Sequence, residues 1–254
     1  MSAYNLKRGS TIMTLVALAL VIRASAETIS EDFEAATAGV TNTPPAGWQI
    51  SGSVENGYYV TSPNLGNPNK CAFLDWTGTT QVSPGIYMVN SGAAFDATKA
   101  ISGSFHFFVN EEGNYSTINF ILGDVQDGLV SSAGAFINVY LDEIQFGSRA
   151  QIYDGAGGLL FNGDGNNTYT INSGQWCYDA TFTWTPTNGT TGDFSFSWKS
   201  ADGTQRGPMT VTGYTFDNPE VYFGFGTGKV AGRFDNISIT GSTIAAQGTL
   251  ICIQ

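Results

Sequence analysis

Apolar and polar residues alternate along most of the chain, which is the pattern of half-buried β-strands. The clearest case lies between residues 104 and 110, where Phe105, Phe107 and Val109 alternate with His106 and Phe108. Because successive side chains of a strand point to opposite faces, the first three residues should face a core and the other two should face away from it. The segment therefore predicts a strand of a sheet that is buried on one side.

The same alternation recurs in five further segments, at positions 117–122, 135–141, 175–184, 194–199 and 221–225. In segment 175–184 it predicts that Trp176, Phe182 and Trp184 share one face and that Cys177 lies on the other. Asn-Gly or Asp-Gly pairs, which suit tight hairpin turns, occur at positions 56–57, 162–163, 164–165, 188–189 and 202–203. Many short strands with one apolar face each predict an all-β, two-sheet antiparallel jelly-roll sandwich.

The last clear strand, residues 232–240, contains Asp235 and Asn236 between apolar positions. A short acidic segment near the start of the chain, Ser30 to Glu34, has the same strand-like character. A jelly roll brings its two ends together in one sheet. We therefore expect these two segments to pair and to close the domain.

Three segments divide the chain. Residues 1–26 have the features of a secretory signal peptide: Lys7 and Arg8, an apolar run from Ile12 to Ile22, and small residues before a cleavage site at Ala26. The apolar run is too short for a stable membrane anchor, which takes about 20 residues. We expect one β-sandwich domain over residues 27–241, a C-terminal tail over residues 242–254 that the pattern does not place, and a product exported to the periplasm or the extracellular space.

The chain is acidic, with a net charge of −11, and it contains three cysteines and a single histidine. The charge disfavours nucleic acid and anionic membranes as partners, and its carboxylates suit calcium, a hard cation that takes oxygen ligands. A disulfide between Cys71 and Cys177 is one option in an oxidising compartment, and it leaves Cys252 over. No cysteine pair has the spacing of a zinc site.

Short motifs resemble the concanavalin A-like, laminin-G-like jelly-roll domains of secreted bacterial proteins. The motifs span nearly the whole chain after the signal: residues 31–34 (Glu-Asp-Phe-Glu), 45–48 (Pro-Ala-Gly-Trp), 176–178 (Trp-Cys-Tyr) and 234–239 (Phe-Asp-Asn-Ile-Ser-Ile). Carbohydrate-binding modules with this fold begin and end in a similar way. The resemblance implies the fold and a role in binding or processing glycans. It also implies a structural calcium where the first and last strands meet, with the oxygen donors Glu31, Asp32, Glu34 and Asp235.

A sugar site needs aromatic faces for stacking and a few fixed polar groups. The strand faces opposite the predicted core offer His106, Asn119, Asn138, Tyr140 and Asp142, which we expect side by side on one sheet. Arg149 and Tyr153 are expected in loops at its rim. These seven residues form the predicted ligand-binding patch. The simpler alternative is a solvated sheet face, on which polar residues are ordinary.

Catalysis is the second option. Glycoside hydrolysis uses two facing carboxylates, whereas Asp142 and Glu143 are adjacent and point to opposite faces. Gln151-Ile152-Tyr153 resembles an alginate-lyase motif, with tyrosine at 153 in place of its histidine. His106 and Tyr140 could serve as base and acid. We expect a lectin-like binder without chemistry, with a polysaccharide lyase or glycoside hydrolase, or a surface adhesion or structural protein, as the alternatives.

Overall fold

The computed structural model describes residues 26–35, 39–40, 44, 46–52, 58–61, 70–74, 86–90, 92, 94–109, 116–123, 136–144, 147–163, 169, 171, 176–228 and 232–244. The predicted signal segment and most of the predicted tail lie outside these residues. No helix in the described ranges is long and apolar enough to cross a membrane.

Sheet A contains both ends of the described chain. Its strands are β1 (Ala26–Glu31), β2 (Gly39–Val40), β4 (Tyr58–Thr61), β5 (Cys71–Leu74), β8 (Ile101–Val109), β13 (Trp176–Asn188), β14 (Thr191–Lys199), β15 (Gln205–Thr215) and β17 (Gly232–Ile244). From one edge inward the order is β15, β14, β13, β8 and β17, all antiparallel. The far edge of β17 pairs with β1 along one half and with β5 along the other, and β4 and β2 extend the sheet beyond β5.

The remaining strands are β3 (Trp48–Gly52), β6 (Ile86–Asn90), β7 (Ala94–Asp96), β9 (Ser116–Gly123), β10 (Phe136–Ile144), β11 (Gly147–Asp154), β12 (Leu159–Asn162) and β16 (Glu220–Gly228). Sheet B has the order β3, β6, β16, β9, β10, β11, β12 and is also antiparallel. The short strand β7 pairs with both β16 and β17 and so joins the two sheets at one end. The all-β jelly-roll prediction is confirmed.

Aromatic side chains fill the space between the sheets. Phe105 of sheet A lies 4.8 Å from Phe225 of sheet B, and Phe182 of sheet A lies 4.6 Å from Phe120 of sheet B, measured between ring centroids. All four rings are at most 1% exposed. Burial of aromatic side chains between the sheets, with one edge-on and one tilted ring contact in these two pairs, stabilises the sandwich.

The predicted closure of the domain by its first and last segments is present. β1 pairs with β17 in antiparallel register, from Ala26 opposite Ser242 to Glu31 opposite Ile237. β17 continues past the predicted boundary at residue 241, and its end pairs with β7 through Thr243 and Phe95. The strand therefore runs three residues into the segment that the sequence pattern left unplaced.

The predicted face of Trp176 is wrong, because β13 contains a bulge. Its register against β8 shifts between Cys177 and Ala180, and Asp179 at the bulge has a left-handed φ of 49°. The extra residue reverses the alternation at this point. Cys177 therefore lies in the main core with Phe182, whereas Trp176 lies in a separate cluster with Phe108 and Cys71 on the other face.

The Cys71–Cys177 disulfide is contradicted as well. Both cysteines are buried, neither forms a disulfide, and they belong to the two different clusters on opposite faces of sheet A. Two side chains that point away from each other cannot be bridged without movement of the backbone. Cys252 lies outside the described residues.

Candidate functional site

Six of the seven residues predicted to bind a ligand lie on three neighbouring strands of sheet B. The inward side chains of β9, β10 and β11 are core residues that are at most 2% exposed, namely Ile118, Phe120, Leu122, Ile137, Val139, Leu141, Ala150 and Ile152. Strict alternation assigns the positions between them to the outer face of the sheet. We call this surface the outer face of sheet B.

The strand register brings these positions together in three rows. The central row consists of Asn119, Tyr140 and Gln151, which are direct partners across β9, β10 and β11. In the row on one side, Asn138 lies opposite Tyr153. In the row on the other side, Asp142 lies opposite Arg149. Neighbouring strands are about 4.8 Å apart, so the backbone positions in one row lie within reach of a single sugar unit. Arg149 and Tyr153, expected in loops, lie in β11.

His106 does not join this group, and its place in the predicted patch is wrong. It belongs to β8 of sheet A, where its Nδ1 lies 3.1 Å from Asn236 Nδ2 and its Nε2 lies 3.8 Å from Asp179 Oδ1. The core separates it from the outer face of sheet B. The backbone thus places His106 and Tyr140 on different sheets, so they do not assemble the acid–base pair considered from the sequence.

Asn119 is the unusual residue of the outer face of sheet B. Its side chain is fully buried, and neither Oδ1 nor Nδ2 has a hydrogen-bond partner. Ile121, two positions further along the same face of β9, is 1% exposed. An unpaired buried amide costs about 1–3 kcal/mol, so a fold retains one only at an expense in stability. Such a group gains most from a ligand that supplies both a donor and an acceptor.

Gln151 adjoins this row and was missing from the predicted site. Its Oε1 accepts a hydrogen bond from Tyr153 Oη at 2.5 Å, and its Nε2 donates to Asn162 Oδ1 at 3.4 Å. These contacts fix the orientation of an amide that is 7% exposed. The sequence signal was available, because Gln151 and Tyr153 are two residues apart in one strand and therefore share a face.

Two glycines continue the face on the other side of Asn119. Gly226 is the direct partner of Asn119, and Gly224 is the partner of Ile121. They alternate with Phe223 and Phe225, which are fully buried in the core. The outer face along this part of β16 has no side chains at those two positions, so the side chains of β16 leave its backbone uncovered there. The Phe-Gly-Phe-Gly alternation is the signal that would have found this strip.

The acidic residues of the closing region do not converge on one point. Each of three carboxylates accepts a hydrogen bond from a different backbone N–H. Glu31 Oε1 accepts from Phe33 at 2.7 Å, and Glu34 Oε1 accepts from Lys70 at 2.7 Å. Asp235 Oδ1 accepts from Asn236 at 2.8 Å. Asp235 is fully buried. Within the described residues, no three His, Cys, Asp or Glu side chains are grouped as metal ligands.

A smaller set of oxygen donors lines an open pocket of 320 Å³ between β1 and β17. Glu31, Asp32 and Asn236 are on its wall, together with Ser30 and Ser238, whereas Glu34 and Asp235 are not. Burial raises the pKa of the Glu31 carboxyl, and the hydrogen bond from Phe33 opposes that shift. Of the four residues predicted to bind calcium, only Glu31 and Asp32 line this pocket. Asn236 is a further oxygen donor on its wall that the sequence analysis did not include.

Comparison with known proteins supports the fold. No family model matches the chain, and no curated protein matches it. Among solved structures, lectin II from Ulex europaeus is 12% identical, with a TM-score of 0.58, over 86% of this chain and 99% of the lectin. A protein of unknown function from Shewanella oneidensis MR-1 is 15% identical, with a TM-score of 0.57, over 96% and 100%. Alginate lyase vAL-1 from Chlorella virus is 11% identical, with a TM-score of 0.50, over 78% and 93%. The chain shares the all-β, two-sheet jelly-roll fold of these structures.

Proposed function

We propose that this protein is a secreted, non-catalytic carbohydrate-binding protein whose ligand lies on the outer face of sheet B. The observation that carries the proposal is the row of Asn119, Tyr140 and Gln151, with a buried amide at Asn119 that has no hydrogen-bond partner. The jelly-roll fold shared with a lectin agrees with it. Export and the laminin-G-like character belong to the same proposal and rest on the sequence motifs.

The amide chemistry favours a neutral sugar over an anionic one. Asn119 offers a carbonyl acceptor and an NH₂ donor. Two adjacent sugar hydroxyls, each both donor and acceptor, would satisfy both at once, once the ligand displaces the groups that cover this fully buried side chain. A carboxylate accepts only, so a sugar that turned its carboxylate toward Asn119 would pair with Nδ2 and leave Oδ1 unpaired. The net charge of −11 also opposes the approach of a polyanion. Tyr140 and Tyr153 supply the aromatic residue type that stacks on sugar rings.

A glycan array with the full chain, followed by calorimetry on the best ligand, tests the proposal. We expect Tyr140→Ala to weaken binding at least tenfold, the cost of about 1.4 kcal/mol for one lost stacking contact. The control is Tyr178→Ala, which removes a 37% exposed tyrosine from sheet A and should leave the affinity unchanged. Equal affinities for both variants and the wild type would remove the outer face of sheet B as the site. No retention of any glycan would favour an adhesive or structural role.

A structural calcium is the second part of the proposal. Glu31, Asp32 and Asn236 would supply oxygen ligands in the pocket between β1 and β17. A cation bound there would hold the two ends of the domain together. Because a ligand that binds only the native state raises stability, added calcium should raise the thermal midpoint and a chelator should lower it. Asp32→Asn should abolish the response, whereas an unchanged midpoint with calcium and chelator would exclude the site.

A polysaccharide lyase is the alternative that one contact favours. The hydrogen bond between Tyr153 Oη and Gln151 Oε1 holds together two residue types of the lyase-like cluster, and Arg149 is nearby in β11. Lyases release unsaturated uronates, which absorb in the ultraviolet, and hydrolases release new reducing ends. Retention of a glycan without either product supports the binder. Product formed by the wild type and lost in Tyr153→Phe would support the lyase instead.

A further inference from the structure

Two adjacent rows on the outer face of sheet A consist entirely of serine and threonine. One row crosses six strands and the other crosses five, and every partner in both is a hydroxyl residue. We call these eleven residues the hydroxyl grid. They are Thr28, Thr240, Ser102, Thr183, Ser195 and Thr210 in the first row, and Ser30, Ser238, Ser104, Thr181 and Ser197 in the second.

The grid is accessible and regularly spaced. All eleven residues are exposed or half-buried. Neighbouring strands are about 4.8 Å apart, and residues two apart along a strand are about 6.7 Å apart, so the hydroxyls repeat in two directions. Some already bond one another: Thr28 Oγ1 lies 2.8 Å from Thr240 Oγ1, and Thr181 Oγ1 lies 3.0 Å from Ser197 Oγ.

The core behind the grid holds it rigid. Residues that alternate with the grid along the same strands include Phe182, Trp184, Phe194 and Phe196, each at most 1% exposed. Side chains in a close-packed interior have few alternative positions, and β-branched threonine has a restricted χ1. The positions of the hydroxyls are therefore set by the sandwich before any partner arrives.

The chemistry of the grid decides which partner fits. None of the eleven grid residues is charged, aromatic or large and apolar. Lys199 and Tyr178 border the grid at one end of β14 and β13, and Asp193 borders it at the other end. A partner that covers the grid itself therefore meets neither the cations that bind nucleic acid nor the apolar groups that a sugar stack, a protein interface core or a lipid surface requires. Each hydroxyl donates one hydrogen bond and accepts two, much as water does. A periodic array of such groups matches a periodic lattice of water molecules.

We propose that the hydroxyl grid is an ice-binding surface, on which serine and threonine hydroxyls order water into register with the ice lattice. Thr183 is central, because Ser102 and Ser195 are its partners on the two sides. A lysine there adds a long, strongly hydrated cation to an uncharged array. This surface is independent of the proposed glycan site, which lies on the other sheet.

Thermal hysteresis and the shape of ice crystals grown in the full-length protein test the proposal. We expect faceted crystals and a measurable hysteresis gap for the wild type, and loss of both for Thr183→Lys and for Thr181→Lys in the second row. Thr204→Lys, at an exposed turn outside the grid, is the matched control and should retain both. All three variants should keep wild-type circular dichroism and glycan binding.

Round crystals without hysteresis in the wild type would overturn the proposal. That result is expected if the usual twist of about 20–25° between neighbouring strands spoils the lattice match. A dimer in sedimentation that Thr183→Lys dissociates, without hysteresis, would also overturn it and assign the face to a second copy of the chain. Equal loss of hysteresis in Thr204→Lys would show that an added charge anywhere abolishes it, and would overturn the assignment of ice binding to the hydroxyl grid.

Discussion

The buried amide of Asn119 links stability to binding at the level of one residue. Both polar atoms lack a partner, so the free protein bears the cost of removing them from water without compensation. A ligand that pairs with both atoms recovers that cost when it binds. Sites of recognition often keep such groups, because the residue best for the fold differs from the residue best for the ligand.

Asn119→Leu should therefore stabilise the free protein and abolish glycan binding. Leucine has the same branched shape and the same number of side-chain heavy atoms but no polar atoms, so we expect the free energy of unfolding in urea to rise by about 1–3 kcal/mol, less the cost of packing its larger methyl groups. Asn162→Leu is the contrast, because it removes an acceptor 3.4 Å from Gln151 Nε2 and should not stabilise. A loss of stability in Asn119→Leu would mean that the amide is paired in solution.

The thiol of Cys177 should be inert in the native state. Burial raises its pKa to about 12, so almost none of it is thiolate at neutral pH, and the thiolate is the reactive form. Cys71 is 1% exposed. We expect a thiol reagent to label neither residue before unfolding and both after it, as peptide mapping would show. Rapid native labelling of Cys177 would contradict its place in the core.

At the level of elements, the tight approach of β8 to its neighbours leaves no room for a side chain at Gly103. A Cβ there would lie 2.5 Å from Phe182 Cε1 and 2.8 Å from Ile239 Cγ1. Overpacking a core costs about 1–3 kcal/mol, so Gly103→Ala should lower the free energy of unfolding by that amount. Gly92→Ala, with nothing within 4 Å of its Cβ, is the control. Equal effects for both would show that chain entropy dominates.

β1 adds a pH dependence through Glu31. Because its carboxyl has a raised pKa in the folded state, folding takes up a proton in the window between the unfolded and folded values. Stability from this group is thus present below the window and is lost as the pH rises through it. Glu31→Gln should remove this contribution to the pH dependence of the free energy of unfolding, measured by urea unfolding at a series of acidic pH values. With calcium bound, the contribution of Glu31 in the wild type should change sign, so that stability rises with pH, because the cation binds the ionised carboxylate.

Alternation along the sequence predicted β8, β9, β10, β13, β14, β16 and β17, because the burial of a strand residue depends mainly on its own face. It missed β11, whose Arg149 and Tyr153 were expected in loops. It could not predict which strands share a sheet. β8 and β9 follow each other in the chain yet belong to different sheets, which is why His106 was misplaced while Asn119 and Tyr140 were correctly grouped. Nor could it predict the bulge at Asp179, where contacts with β8 and β14 on both sides shift the register.

At the level of the whole molecule, charge separates the possible ligands. A net charge of −11 repels polyanions at long range, and salt screens that repulsion beyond about 8–10 Å. In affinity electrophoresis, we expect a neutral glycan to retard the protein equally in low and in high salt, because hydroxyl and amide contacts carry no net charge. Alginate should cause no retardation in low salt. If alginate does retard the protein, and salt weakens the effect, a local attraction must exceed the repulsion of the whole chain. That result would point to Arg149 as a contact for the carboxylate and would favour the lyase.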